Sequence, residues 1–99
     1  MENVIKKQEN NLVVGRKDFL SYMRHIKFLF KRKDRKNIFL IARGQNIVKA
    51  FDLAEATKNR FLDELGISYG KIEPITETFE KEGKNHFVTA IKIELLKKY

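Results

Sequence analysis

A short apolar run, Ile38-Phe39-Leu40-Ile41-Ala42, ends in Arg43-Gly44 and passes at once into a helical pattern beginning near Gln45. Five consecutive apolar residues fit a strand covered on both faces or central in a sheet. Gly44 permits a backbone turn that a side chain would obstruct. Gln45 or Asn46 is expected to cap the following helix. The opening turn of that helix leaves free N–H groups and a partial positive charge, so Arg43 stands beside an anion site.

The rest of the chain is arranged around this strand-to-helix passage. Asn11–Val14 predicts a first strand ended by Gly15. After Arg16-Lys17, Asp18 predicts a helix start. Phe19, Tyr22, Met23, Ile26, Leu29 and Phe30 then recur at three- and four-residue steps, one apolar face of a helix ending near Lys31. Phe28 falls on the opposite face with Ser21, Arg24 and Lys31. Lys31–Lys36 forms a connector with five positive charges. A second helix is expected from about Gln45 to Glu64, with Ile47, Ala50, Phe51, Ala54, Phe61 and Leu65 inward and Gly66 as its stop.

From Ile67 to Phe79 the chain reads as extended but irregular. Its apolar phase shifts between Tyr69 and Ile72, and Pro74 removes a ladder donor, so a bulge or an edge position is expected. Glu80–Asn85 is a hairpin tip with Gly83 at the bend, and Phe87, Thr89, Ile91, Ile93 and Leu95 alternate along a last strand. The order β-α-β-α-β-β makes the first two strands parallel through a right-handed crossover. The expected fold is α+β: a two-layer sandwich with a four-stranded mixed sheet and two helices on one face. Residues 1–10 read as a flexible tail with a Lys6-Lys7 pair, and 11–99 as a single domain.

Charge decides between kinds of partner. The net charge is +8, but residues 1–49 hold 13 Lys/Arg against 4 Asp/Glu, whereas residues 50–99 hold 8 against 9. A one-sided positive field steers polyanions. Arg16, Lys17 and Arg43 leave two loops at the carboxyl ends of neighbouring parallel strands, so these cations are expected to converge on phosphate. Lys49, in the first turns of the second helix, either extends that patch or is solvated. The Lys31–Lys36 run lies at the far end of the first helix and reads as a solvated connector.

The absence of cysteine excludes disulfides and thiolate chemistry and points to an intracellular home. No apolar run approaches the ~20 residues of a membrane span, and residues 1–11 hold no signal-peptide core. No paired His/carboxylate spacing suggests a metal, no phosphate loop or nucleophile motif suggests an enzyme, and no cofactor is expected.

In order and spacing, Val13-Val14-Gly15-Arg16-Lys17, Ala42-Arg43-Gly44, Ile47-Val48-Lys49-Ala50, Asn59-Arg60-Phe61-Leu62 and Glu82-Gly83-Lys84 resemble the Alba family of archaeal chromatin and RNA-binding proteins. The similarity runs from about Asn10 to Lys98. It implies a fold like the C-terminal domain of bacterial initiation factor three. It also implies a homodimer, or a heterodimer with a paralogue, that binds double-stranded DNA and RNA with little sequence preference in the cytoplasm and nucleoid. By the resemblance, Arg16 and Lys17 occupy the phosphate-binding loop after the first strand, Arg43 lies on the same surface, and the hairpin, with Lys81 and Lys84, reaches along the duplex; Gly44 and Lys49 are further candidates for that face. Asn59 and Arg60 fall at a dimer or dimer–dimer contact, and Phe61 is either core or an interface anchor.

Three departures bear on that reading. Gln45 stands where the family commonly has a second arginine; the lysine that family members often carry acetylated is Arg16 here, leaving Lys17; and Glu80 and Glu82 bring the hairpin tip near neutrality. Two other readings share the same basic surface: an RNA-directed ribonucleoprotein subunit, and a subunit binding an acidic protein.

Overall fold

A computed structural model describes residues 10–99. The expected tail, with Lys6-Lys7, lies outside the described residues except for Asn10, whose carbonyl accepts the Phe39 N–H at 2.8 Å. The elements are β1 (Asn11–Val14), α1 (Phe19–Lys27), β2 (Asn37–Arg43), α2 (Asn46–Ala56), β3 (Ile67–Lys81) and β4 (Lys84–Lys97). The sheet order is β1-β2-β4-β3, with β1 parallel to β2 and the other pairs antiparallel. This is the expected α+β architecture.

The apolar run occupies the second position of the sheet. Ile38, Leu40 and Ala42 alternate onto the helix-covered side, where they meet Leu12 and Val14 of β1, Ile93 and Leu95 of β4, and the inward residues of both helices. Ile41 points to the other face and is buried there as well. Phe30, Leu53 and Leu62 are among the largest fully buried side chains. Cutting such a residue to alanine costs roughly 2–5 kcal/mol, because the packed surroundings close only part of the void.

Both helices differ from expectation at their ends. Asp18 caps α1 as expected, accepting the Ser21 N–H at 2.7 Å, and this bond holds its carboxyl below the usual aspartate range. The α-helix stops at Lys27, and Phe28–Arg32 widens into a π turn. For α2, neither Gln45 nor Asn46 provides a side-chain cap, correcting the expectation; instead Ile47 N–H bonds the Gly44 carbonyl at 3.1 Å.

The α-helical part of the second helix ends at Ala56, short of Glu64. A π turn over Thr57–Phe61 and a 3-10 turn over Asp63–Leu65 follow. Buried Thr57 explains the break: its hydroxyl bonds the Leu53 carbonyl at 2.7 Å, competing with the regular backbone ladder. Leu53 and Thr57 join the buried stripe, whereas Ile47, Phe51, Phe61 and Leu65 are half-buried at its margin. Gly66 ends the segment at φ +63°, as expected.

The long hairpin follows the sequence closely. Pairing of β3 with β4 shifts between Tyr69 and Ile72, at the expected phase change, and Pro74 sits on an edge strand. Glu94 fills the bulge, accepting Asn37 Nδ2 at 2.8 Å and the Lys71 N–H at 3.1 Å. These donors hold its carboxyl below the ordinary glutamate value. At the tip, Glu82 and Gly83 both take positive φ, +54° and +74°, which suits a two-residue turn matched to strand twist. Every residue from Thr78 to Phe87 is exposed.

Candidate nucleic-acid interface

Loops leaving β1 and β2 start side by side, because Val14 and Ala42 are register partners. The first of these, Gly15-Arg16-Lys17, is fixed from within. The buried Tyr22 hydroxyl accepts the Gly15 N–H at 2.6 Å and the Lys17 N–H at 3.3 Å. Lys49, reaching across from α2, donates to the Gly15 carbonyl at 2.8 Å and to the Lys17 carbonyl, with its ammonium 5.0 Å from the Tyr22 ring centre. The main-chain groups of Gly15 and Lys17 are thereby satisfied by the protein, while Arg16 and Lys17 are exposed.

Arg43 takes a different direction. Its guanidinium forms a two-pronged contact with Glu77, Nε to Oε1 at 2.5 Å and Nη2 to Oε2 at 3.3 Å. Glu77 belongs to β3, and β4 lies between β2 and β3. The side chain therefore crosses β4 on the sheet face away from the helices, turned from the β1 loop. Its register partner Ala90 is small enough to leave that path open. A cleft of about 300 Å3 lined by Arg43, Glu77, Thr78, Phe79 and Val88 marks this second cationic point. The Gly44 N–H is engaged by the Thr89 carbonyl at 2.8 Å.

At the hairpin tip Lys81 and Lys84 are directly opposed and exposed. Behind them Phe79 and His86 stack with ring centres 5.3 Å apart. Asn59 and Arg60 are exposed after α2: Asn59 Nδ2 bonds Glu55 at 3.1 Å, and Arg60 lies 5.6 Å over the half-buried Phe61 ring. Glu55 also accepts the Tyr69 hydroxyl at 2.5 Å, and burial together with that carboxylate raises the tyrosine above its ordinary value.

Sequence reasoning missed two participants. Tyr22 was legible only as a core position, and its hydroxyl gives no periodic signal. Glu77 is one of several acids in an irregular strand, and only the pairing register puts it within reach of Arg43. Among the described residues no cluster of His, Cys, Asp and Glu could hold a metal, and no helix is long and apolar enough to cross a membrane.

A mixed four-stranded sheet with two helices on one side, exposed cations at the strand ends and a long hairpin arm define a small α+β protein with a cationic surface. The chain belongs to the Alba family, whose profile matches residues 10–76. It is 33% identical over 88 residues to the DNA/RNA-binding protein Alba of Picrophilus torridus, covering 89% of this chain and 96% of that protein. The Thermoplasma acidophilum protein of the same description is 34% identical over the same shares. Among solved structures, Alba from Thermoplasma volcanium superposes with a TM-score of 0.78 at 32% identity, over 89% of this chain and all of that one. ALBA1 from Trypanosoma brucei shares the fold, with a TM-score of 0.72 at 22% identity, over 93% of this chain and 72% of that one.

Proposed function

We propose that this chain binds double-stranded DNA and RNA with little sequence preference, as a homodimer or paired with a paralogue, in the cytoplasm and on the chromosome. The observation that carries this reading is the exposed Arg16-Lys17 loop, whose backbone is held by Tyr22 and Lys49 while both cations face solvent. The names of the relatives, DNA/RNA-binding protein Alba, support its nucleic-acid part. Binding is electrostatic and addressed to phosphates, which fix position without reading bases. The protein packages or protects nucleic acid in this reading and catalyses nothing.

Each residue then has a distinct part. Arg16 and Lys17 contact phosphate directly. Arg43 contributes by exchanging the Glu77 carboxylate for a phosphate on the adjoining face. Gly44 supplies the turn at φ +53°, and Lys49 holds the loop rather than the ligand. Lys81 and Lys84 extend the contact along the duplex, while Asn59, Arg60 and Phe61 lie at a contact between copies. If a dimer meets about six phosphates, log K for duplex DNA falls against log salt with a slope of about −5. Titration of random duplexes over a salt series measures this. A slope near zero, or strong choice of one sequence, refutes the reading.

A further inference from the structure

The Lys31–Lys36 run and Phe28 have no part in the interface proposed above. Phe28, Lys31 and Arg32 are in the π turn that closes α1, and exposed Lys33 follows it at once. Arg24, Lys27, Phe28, Lys31 and Arg32 line a shallow depression, open to solvent, of about 310 Å3. Phe28 is 43% exposed within it, and the Lys33 ammonium stands 5.7 Å from the ring centre. Three- and four-residue spacing brings Arg24, Lys27, Phe28 and Lys31 onto one side. The wider π turn, closed by the Lys33 N–H to the Phe28 carbonyl at 3.0 Å, adds Arg32 and Lys33.

These cations are poorly compensated. Lys31 pairs with Glu64 at 2.9 Å, both half-exposed. Asp34, the one acid of the connector, is engaged by Lys97 at 2.5 Å. Arg24 reaches Ser21 Oγ at 3.4 Å. Among the described residues neither Lys27 nor Arg32 forms an ion pair. A solvated connector gains nothing from an exposed phenylalanine set among like charges. A strand of nucleic acid gains from both, because its phosphates follow a cationic groove and its bases stack on an aromatic face whatever their identity. A duplex keeps its bases stacked inside and cannot lay one on Phe28.

We propose that the solvent face of α1 and its closing turn is a second nucleic-acid site, one that takes a single strand, with phosphates on Lys27, Arg32 and their neighbours and an unstacked base on Phe28. It rests on the nucleic-acid reading above. It sits at the opposite end of α1 from the Gly15–Lys17 loop, so one copy can hold a duplex and a single strand at once.

The test compares a short oligouridylate with a random DNA duplex, by fluorescence anisotropy over a salt series, with folding of each variant checked by circular dichroism. Lys27→Ala with Arg32→Ala weakens the single strand about tenfold and flattens its salt slope by about 1.4, two phosphates at ~0.7 each. Phe28→Leu weakens it about fivefold or more with the slope unchanged, the lower end of a base–aromatic stack. Duplex affinity stays within about twofold in all variants, and saturating duplex does not displace the oligouridylate. Equal losses for duplex and single strand, or no loss in Phe28→Leu, overturn the site. So does polyglutamate displacing the oligouridylate more readily than unlabelled oligouridylate does, which would make the depression a surface for acidic protein. Failure of the wild-type protein to bind either nucleic acid is a separate result: it removes the function itself.

Discussion

On the proposed binding face, Lys49 serves the loop and not the ligand. Its ammonium has two carbonyl acceptors and an aromatic face already in place, and taking it away leaves the Gly15 and Lys17 carbonyls without their donor. The Lys49→Met variant keeps much of the length but none of the donors. Its affinity for duplex DNA is expected to fall about threefold to tenfold while the slope of log K against log salt stays unchanged, since no phosphate contact is lost. Hydrogen exchange at the Gly15 and Lys17 amides should quicken in parallel. A slope flatter by about 0.9 per protomer would instead identify Lys49 as a direct phosphate ligand. Arg43 makes the complementary point. Glu77 already occupies its two-pronged donor edge, so its contribution to binding is a difference between phosphate and carboxylate rather than the full strength of either contact.

At the scale of the element, the hairpin is an arm with mixed charge. Lys81 and Lys84 can approach phosphate, whereas Glu80 and Glu82 repel it, and all four are exposed at the tip. Glu82 already holds positive φ, so replacing it by lysine changes charge without asking for a new backbone. The Glu82→Lys variant is expected to tighten duplex binding at low salt by about threefold to tenfold, steepen the salt slope, and leave the ranking of random sequences unchanged. An unchanged affinity in a folded protein would show that the arm does not approach the duplex. The bulge at Gly70–Lys71 matters here, because it adds local twist and so sets the direction in which the arm leaves the sheet.

For the whole molecule, the hairpin arm leaves apolar surface in water. On β3 and β4 the helix-side face runs from Ile72, opposite Ile93, through Pro74 and Thr76 to Thr78, opposite Phe87. The helices cover Ile93 but leave its partner Ile72 42% exposed, and at the outer end Phe87 is 72% exposed. A second copy packing along this face and the half-buried Phe61 would remove that apolar surface from water. Sedimentation equilibrium at micromolar concentration is expected to give twice the chain mass, and Phe61→Glu to shift it toward one. A monomeric wild-type protein would contradict the dimer and leave the exposed apolar arm unexplained.

Periodicity made much of the fold legible. The Ile38–Ala42 run, the three-and-four spacing from Phe19 to Phe30, the phase change at Tyr69–Ile72 and the Gly83 turn are each patterns local in sequence, and each appears in the structure where the pattern placed it. The end of α2 was not legible, because a buried threonine bonding back to Leu53 has the same residue type as a solvated one. The candidate site divided in the same way. That Arg16 and Lys17 on their loop and Arg43 at the end of β2 lie at adjoining strand ends follows from strand order and local turns. Where their charges point does not: Arg43 turns to Glu77, 34 residues away, and Lys49 to the carbonyls of Gly15 and Lys17, 34 and 32 residues away. A chain's charges are counted from its residues, but which of them remain free for a ligand depends on partners that only long-range packing brings within hydrogen-bond distance.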